Sequence, residues 1–225
     1  MTPLRFWFDP ISPYAWLAFE RLPMVLQGLS YSVEYRPILF AALLEHWGQL
    51  GPAEVEPKRQ WLWRQVRWIA ARHDLPFVPP AAHPFNPLPL SRLLLASCAA
   101  ESSPSRWACE TVLRQVWCSG AAPEAPEALE ALTQHLQPRL DPQGEAVRQQ
   151  LRHWTETAIS RQLFGVPTIE VLGSAEESPL AGRLFWGQDS LELLAACLHG
   201  DPTALALPWD DPAPPLGRMR PRRAG

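Results

Sequence analysis

The sequence predicts an α/β fold in which a strand–helix–strand opening and a strand–strand–helix ending enclose a long block of helices. Two observations carry this. Short apolar or alternating runs fit strands at 3–8, 31–38, 168–172 and 183–186. Between the second and third of these, apolar residues recur at helical spacing, and Pro-rich joints such as PFVPPAAHPFNPLP divide the stretch into segments.

Taken in order, residues 3–8 (PLRFWF) fit a buried strand that stops at Asp9-Pro10. Ser12-Pro13 then opens a helix reaching about Gln27, with Ser at the cap, Pro at the first helical position and Trp16, Leu17, Phe19 and Leu22 at helical spacing. Residues 31–38 alternate as a second strand, and a parallel pair with a right-handed crossover is the default for such a unit. Helices are predicted over 58–73, 88–100, 106–118, 124–136 and 145–164. The first carries Leu62, Val66, Ile69 and His73 on one face, and Trp61, Trp63 and Trp68 around it are expected in the core rather than along a pocket. In the last, Val147, Leu151, Trp154 and Ala158 form the stripe. The strands at 168–172 and 183–186 flank a polar loop and suggest a hairpin, and DSLELLAACLHG closes with a helix ended by Gly200. The Pro/Arg-rich end, residues 212–225, reads as a disordered tail.

Composition narrows the function classes. A chain of 225 residues with 47% apolar and 19% charged residues is long and apolar enough to bury a sizeable core. A net charge of −3 argues against nucleic acid or an acidic membrane as the main partner. No apolar run approaches the ~20 residues of a spanning helix. The N-terminus enters a strand at once, without a basic leader or cleavage site, so a soluble cytoplasmic protein is expected. Cys98, Cys109, Cys118 and Cys197 show no C-x-x-C, and the six histidines form no metal-binding spacing; inert thiols and no metal are expected.

This order of elements, with GVPT before the third strand, resembles the thioredoxin superfamily carrying a helical insertion. More closely, FDPISPYAWLA (8–18), Lys58, FNPLPLSRLLLA (85–96), FGVPT (164–168) and FWGQDSLELL (185–194) resemble the 2-hydroxychromene-2-carboxylate isomerases and kappa-class glutathione transferases over roughly residues 3–200. The resemblance implies a thioredoxin-like α/β domain from residues 1–38 and 165–200, an inserted all-helical domain from 39–164, and a C-terminal extension from 201–225. It also implies a cis peptide bond at Pro167 and, on family grounds, a homodimer.

Ser-Pro at a helix start is, taken alone, a cap. Related redox folds place C-x-x-C at this turn, where the helix N-terminus stabilises a thiolate. Here the turn is Ser12-Pro13-Tyr14-Ala15, without sulfur. The resemblance implies that glutathione supplies it, its thiolate accepting a hydrogen bond from Ser12 as the catalytic residue. Val166 beside Pro167 would pair with the cysteinyl main chain, Gln188 and Asp189 would hold the γ-glutamyl end, and Lys58 and Gln49 would meet a carboxylate. The implied activity is glutathione-dependent cis–trans isomerisation of a small unsaturated aromatic 2-oxo acid. A kappa-class-like transferase or peroxidase, or a binding protein without catalysis, are the alternatives. Three positions depart from the family: Ser190 where an Arg is common, Gln65 where many relatives have Asp, and Trp68 where they have Arg. These changes leave the thiolate site intact and the substrate end open.

Overall fold

A computed structural model of the chain describes residues 1–174, 176 and 178–209. Four strands make one mixed sheet: β1 (Thr2–Phe8), β2 (Tyr31–Pro37), β3 (Thr168–Val171) and β4 (Leu184–Trp186), in the order β2-β1-β3-β4. β2 runs parallel to β1, with Phe6 opposite Tyr35, whereas β3 runs antiparallel to β1, with Phe6 opposite Ile169. β3 and β4 form the expected antiparallel pair. The helices of the described residues are α1 (Pro13–Val25), α2 (Phe40–Trp47), α3 (Glu56–Arg72), α4 (Leu88–Ala96), α5 (Arg106–Cys118), α6 (Pro126–Leu136), α7 (Glu145–Ser160), α8 (Leu191–Leu198) and α9 (Pro202–Leu205).

The sheet's two faces have separate cores because side chains alternate along a strand. Leu4, Phe6 and Phe8 of β1 join the larger cluster, with Trp16 and Phe19 of α1, Leu62 and Val66 of α3, and Val112 and Trp117 of α5. Trp7 points the other way and packs with Leu43 of α2 and Val147, Leu151 and Trp154 of α7. Burying side chains of this size contributes about 1.5–3 kcal/mol each, so the apolar alternation of β1 fixes which helices lie on which side.

On the second face the sheet also carries a charged knot. Glu170 of β3, 1% exposed, receives Arg5 Nη1 at 3.2 Å, Trp7 Nε1 at 3.1 Å and Arg161 Nη1 at 3.0 Å. Arg5 also reaches Glu34 of β2 at 2.8 Å, and Arg36 lies over the rings of Trp7 and Trp154. The knot ties β3 to β1 and to the segment that leads into Pro167.

Several expectations are corrected. The helix from 88 stops at Ala96 instead of continuing to residue 100, because the Ala96 carbonyl accepts the N–H groups of Arg139 and Leu140 and the Ser97 hydroxyl turns back on the Leu94 carbonyl. The helix from 145 stops at Ser160 instead of reaching residue 164; Gln162 adopts a φ of 62°, and Trp47 Nε1 donates to the Leu163 carbonyl at 2.8 Å. Trp61 and Trp68 are 62% and 60% exposed, so they are not core. The buried stripe of α3 is Leu62, Val66, Ile69 and Ala70, which turns their neighbours outward. Trp63 alone of the three packs inward, against Phe77, His83 and Trp117. Helix α2 was not foreseen. The tail at 212–225 lies outside the described residues.

Candidate functional site

Ser12 is the N-cap of α1, and its extended backbone (φ −89°, ψ 114°) lets the side chain fold over the helix end. Its Oγ accepts from Ala15 N at 3.2 Å and donates to the Val166 carbonyl at 3.3 Å. The Val166–Pro167 bond is cis, in agreement with the expectation from the motif. The side chain of Ser12 and the backbone of Val166 therefore face each other across 154 residues of sequence. Among the described residues, the N–H groups of Tyr14 and Val166 find no hydrogen-bond partner. An unpartnered amide at a helix N-terminus and another beside a cis-proline are donors for an anion and for an extended peptide.

Two residues without an assigned role in the sequence reading hold this turn. Asp9, 1% exposed, accepts Ile11 N at 3.0 Å on one carboxylate oxygen and Phe40 N at 2.9 Å on the other. It thereby pins the β1–α1 turn to the start of α2. Burial pushes its carboxyl up to about 7, against the opposing pull of the two N–H bonds. From the other side, His83 Nε2 lies 2.9 Å from the Ile11 carbonyl. A carbonyl only accepts, so Nε2 carries the proton and Nδ1, buried and unpartnered, is left as an acceptor. Burial holds the His83 pKa below the ordinary histidine value, which favours the neutral ring. The signal for Asp9 was its place in FDPISPY; nothing in sequence spacing pointed from His83 to Ile11.

The remaining predicted residues fall into two groups. Asp189 is exposed on the turn before α8, near enough to Tyr14 that its charge, after burial, raises the phenol pKa. The Tyr14 hydroxyl donates to Gln65 Oε1 at 2.6 Å, so the departure at Gln65 supplies a neutral acceptor beside α1. Gln188 is buried, and both its side-chain oxygen and its carbonyl accept from Arg21 of α1, which also pairs with Glu192. Gln188 thus positions the Asp189 turn from behind, and Ser190 closes it by donating to the Gly187 carbonyl at 2.8 Å. Gly187 has a φ of 90°, and a Cβ there would come within 2.3 Å of Asp189 Oδ1. Lys58, in the first turn of α3, and Gln49, just after α2, are exposed; no hydrogen bond or ion pair joins either side chain to the Ser12 group among the described residues.

An exposed aromatic pair borders Val166. The Phe164 and Trp186 rings sit 4.7 Å apart, edge to face, and a Cβ on Gly165 would meet Trp186 Nε1 at 2.4 Å. Gly165→Ala is therefore expected to push the indole off Phe164 and to shift the Val166 backbone. Near-ultraviolet circular dichroism should change while stability falls by about 1–3 kcal/mol; an unchanged aromatic spectrum would contradict the contact.

The cysteines take no part in this turn. Burial raises the pKa of Cys98, Cys109, Cys118 and Cys197 alike, which favours unreactive thiols. No described helix is long and apolar enough to cross a membrane.

Comparison with known proteins agrees with this frame. The chain is 27% identical over 208 residues to a 2-hydroxychromene-2-carboxylate isomerase of Pseudomonas sp. strain C18, covering 88% of this chain and 90% of that one. It is 25% identical to glutathione S-transferase kappa 1 of Rattus norvegicus, covering 96% of each. The solved structure of a 2-hydroxychromene-2-carboxylate isomerase superposes with a TM-score of 0.73 at 24% identity, over 88% of this chain and 95% of that one, which shows the shared fold. The model of the DsbA-like thioredoxin domain matches residues 3–199, and with the cap-and-cis-proline geometry in place the chain belongs to that family.

Proposed function

We propose that this protein is a glutathione-dependent cis–trans isomerase acting on an unsaturated aromatic 2-oxo acid, with the glutathione thiolate held by Ser12. The observation that carries the reading is the placement of a hydroxyl, rather than a thiol, at the N-terminus of α1 opposite the cis-proline loop. The unpartnered amides of Tyr14 and Val166 fit a peptide carrying a negative sulfur. The name of the glutathione S-transferase relative supports the same cofactor class.

Bound glutathione would supply a nucleophilic sulfur for reversible addition to a carbon–carbon double bond, and would be regenerated. What the chain contributes is electrostatic and positional. The hydroxyl of Ser12, now in a long bond to the Val166 carbonyl, would be the donor to the sulfur. The Tyr14 amide and the dipole of α1 favour negative charge at that point. A thiol so placed titrates well below its usual ~8.5, within the ~3.5–7.5 range of cysteines at helix N-termini. Val166 holds the cysteinyl backbone, and fixing the sulfur at attack distance contributes several kcal/mol. Asp189 would hold the γ-glutamyl amine, on a turn braced by Gln188 and Arg21. Lys58 and Gln49 would receive the remaining carboxylate. Transfer of glutathione to an electrophile would use the same site, and is the reading that the kappa-class relative supports.

Calorimetric titration of glutathione at pH 6 and pH 8 tests the proposal. Saturable binding with proton release is expected, and Ser12→Ala should weaken it by about tenfold, the order of one hydrogen bond to a charged group. No heat from the folded wild-type protein would remove the cofactor and the mechanism together.

A further inference from the structure

One flank of α3 and the loop 79–83 enclose a groove of about 510 Å³ that the thiolate site does not use. This volume falls within the ~300–1,000 Å³ of small-molecule sites. Its wall includes Trp63, Arg64, Arg67 and His83, and no Asp or Glu lines it. Arg59, also on the wall, is already paired with Glu56. Arg64 and Arg67, by contrast, have no ion pair or side-chain hydrogen bond among the described residues. They stand three apart on the helix, which puts them on neighbouring positions of one face. Two uncompensated guanidinium groups in one groove are notable in a chain whose net charge is −3. Trp63 is half-buried and fixed by contacts to His83 and Trp117, so it offers a held ring face rather than a mobile one. The lining also includes His83, whose ring is bonded to the carbonyl of Ile11, the residue before Ser12.

We propose that this groove takes an aromatic dianion, its ring against Trp63 and its two negative charges shared between Arg64 and Arg67. Guanidinium forks pair with carboxylates in two-point geometry, which makes a second anionic group on the ligand worth more than general attraction.

The test is calorimetry on the full chain with phthalate, benzoate and inorganic phosphate at low salt, without glutathione. Wild-type protein should bind phthalate about tenfold more tightly than benzoate or phosphate, and Arg64→Gln/Arg67→Gln should bring phthalate down to the benzoate level. Both side chains are exposed, so the double variant should keep the wild-type circular dichroism spectrum. Equal affinity for phthalate and benzoate, phosphate binding as tight as phthalate, or undiminished phthalate binding by the double variant would each overturn the proposal. A glutathione titration of the same proteins separates the two readings. Phthalate binding without glutathione binding would leave the groove standing and remove the thiolate. Glutathione binding without phthalate binding would do the reverse.

Discussion

Glu170→Ala is expected to lower the stability of the folded chain by about 3–5 kcal/mol, the cost of removing one partner from a buried ion pair. Glu170 is almost wholly enclosed and is the shared acceptor of Arg5, Arg161 and the Trp7 indole. Its loss leaves the Trp7 N–H without an acceptor and Arg5 with Glu34 alone, with little water to replace the carboxylate. Arg161 is half-exposed and should recover its solvation, so the larger share of the cost falls on the β1 side. Glu170→Gln keeps the shape and one acceptor oxygen, and should lose less. Chemical denaturation of both variants measures the difference; equal midpoints for wild type and Glu170→Ala would show that the knot contributes nothing. Since Arg161 begins the segment that ends at Pro167, Glu170→Ala should also weaken whatever binds beside Val166.

The second large effect concerns Asp9, and its sign depends on pH. Each oxygen of Asp9 accepts one backbone N–H. In Asp9→Asn the amide nitrogen faces a donor, leaving either Ile11 N or Phe40 N unsatisfied, at a cost of about 1–3 kcal/mol. Burial raises the folded-state pKa from 3.8 to about 7, so between these values the folded chain keeps a proton that the unfolded chain has released. This contribution is complete below pH 4 and disappears as pH rises through 7. Wild type should therefore lose stability relative to Asp9→Asn between pH 4 and pH 8, and the penalty of the substitution should be largest at the acid end. Denaturation of both proteins at pH 5 and pH 8 checks it. A penalty that grows with pH would mean that the two N–H bonds outweigh burial and that the carboxylate is ionised throughout.

Much of the frame was legible because it rests on local chemistry. A short apolar run located β1, alternation located β2, Ser12-Pro13 marked the start of α1, and Gly200 follows α8 with a φ of 78° as a residue ending a helix. What sequence could not show was the partner of each polar group. Asp9 and Phe40, Arg21 and Gln188, and His83 and Ile11 meet only after the chain has folded back on itself. Helix α2 was missed because eight residues, FAALLEHW, follow β2 with no polar cap at Leu39 to announce them. The tryptophans of α3 misled for a different reason. Large apolar side chains are usually packed, and Trp61 and Trp68 are not; Trp68 instead lies beneath the Arg72 guanidinium.

The order β2-β1-β3-β4 also dictates a timetable for synthesis. β1 and β2 are close in sequence and pair first, but Trp7 must wait for Glu170, 163 residues later. At the usual ~5–20 residues per second, that interval is roughly ten to thirty seconds. During it, the edge of β1 that pairs with β3 awaits a strand that has not been made. Long-range pairing of this kind slows folding, because the intervening loop must close before the contact can form. Nascent chains released before residue 168 should therefore be aggregation-prone and chaperone-bound, whereas chains extending past Trp186 should become resistant to proteolysis.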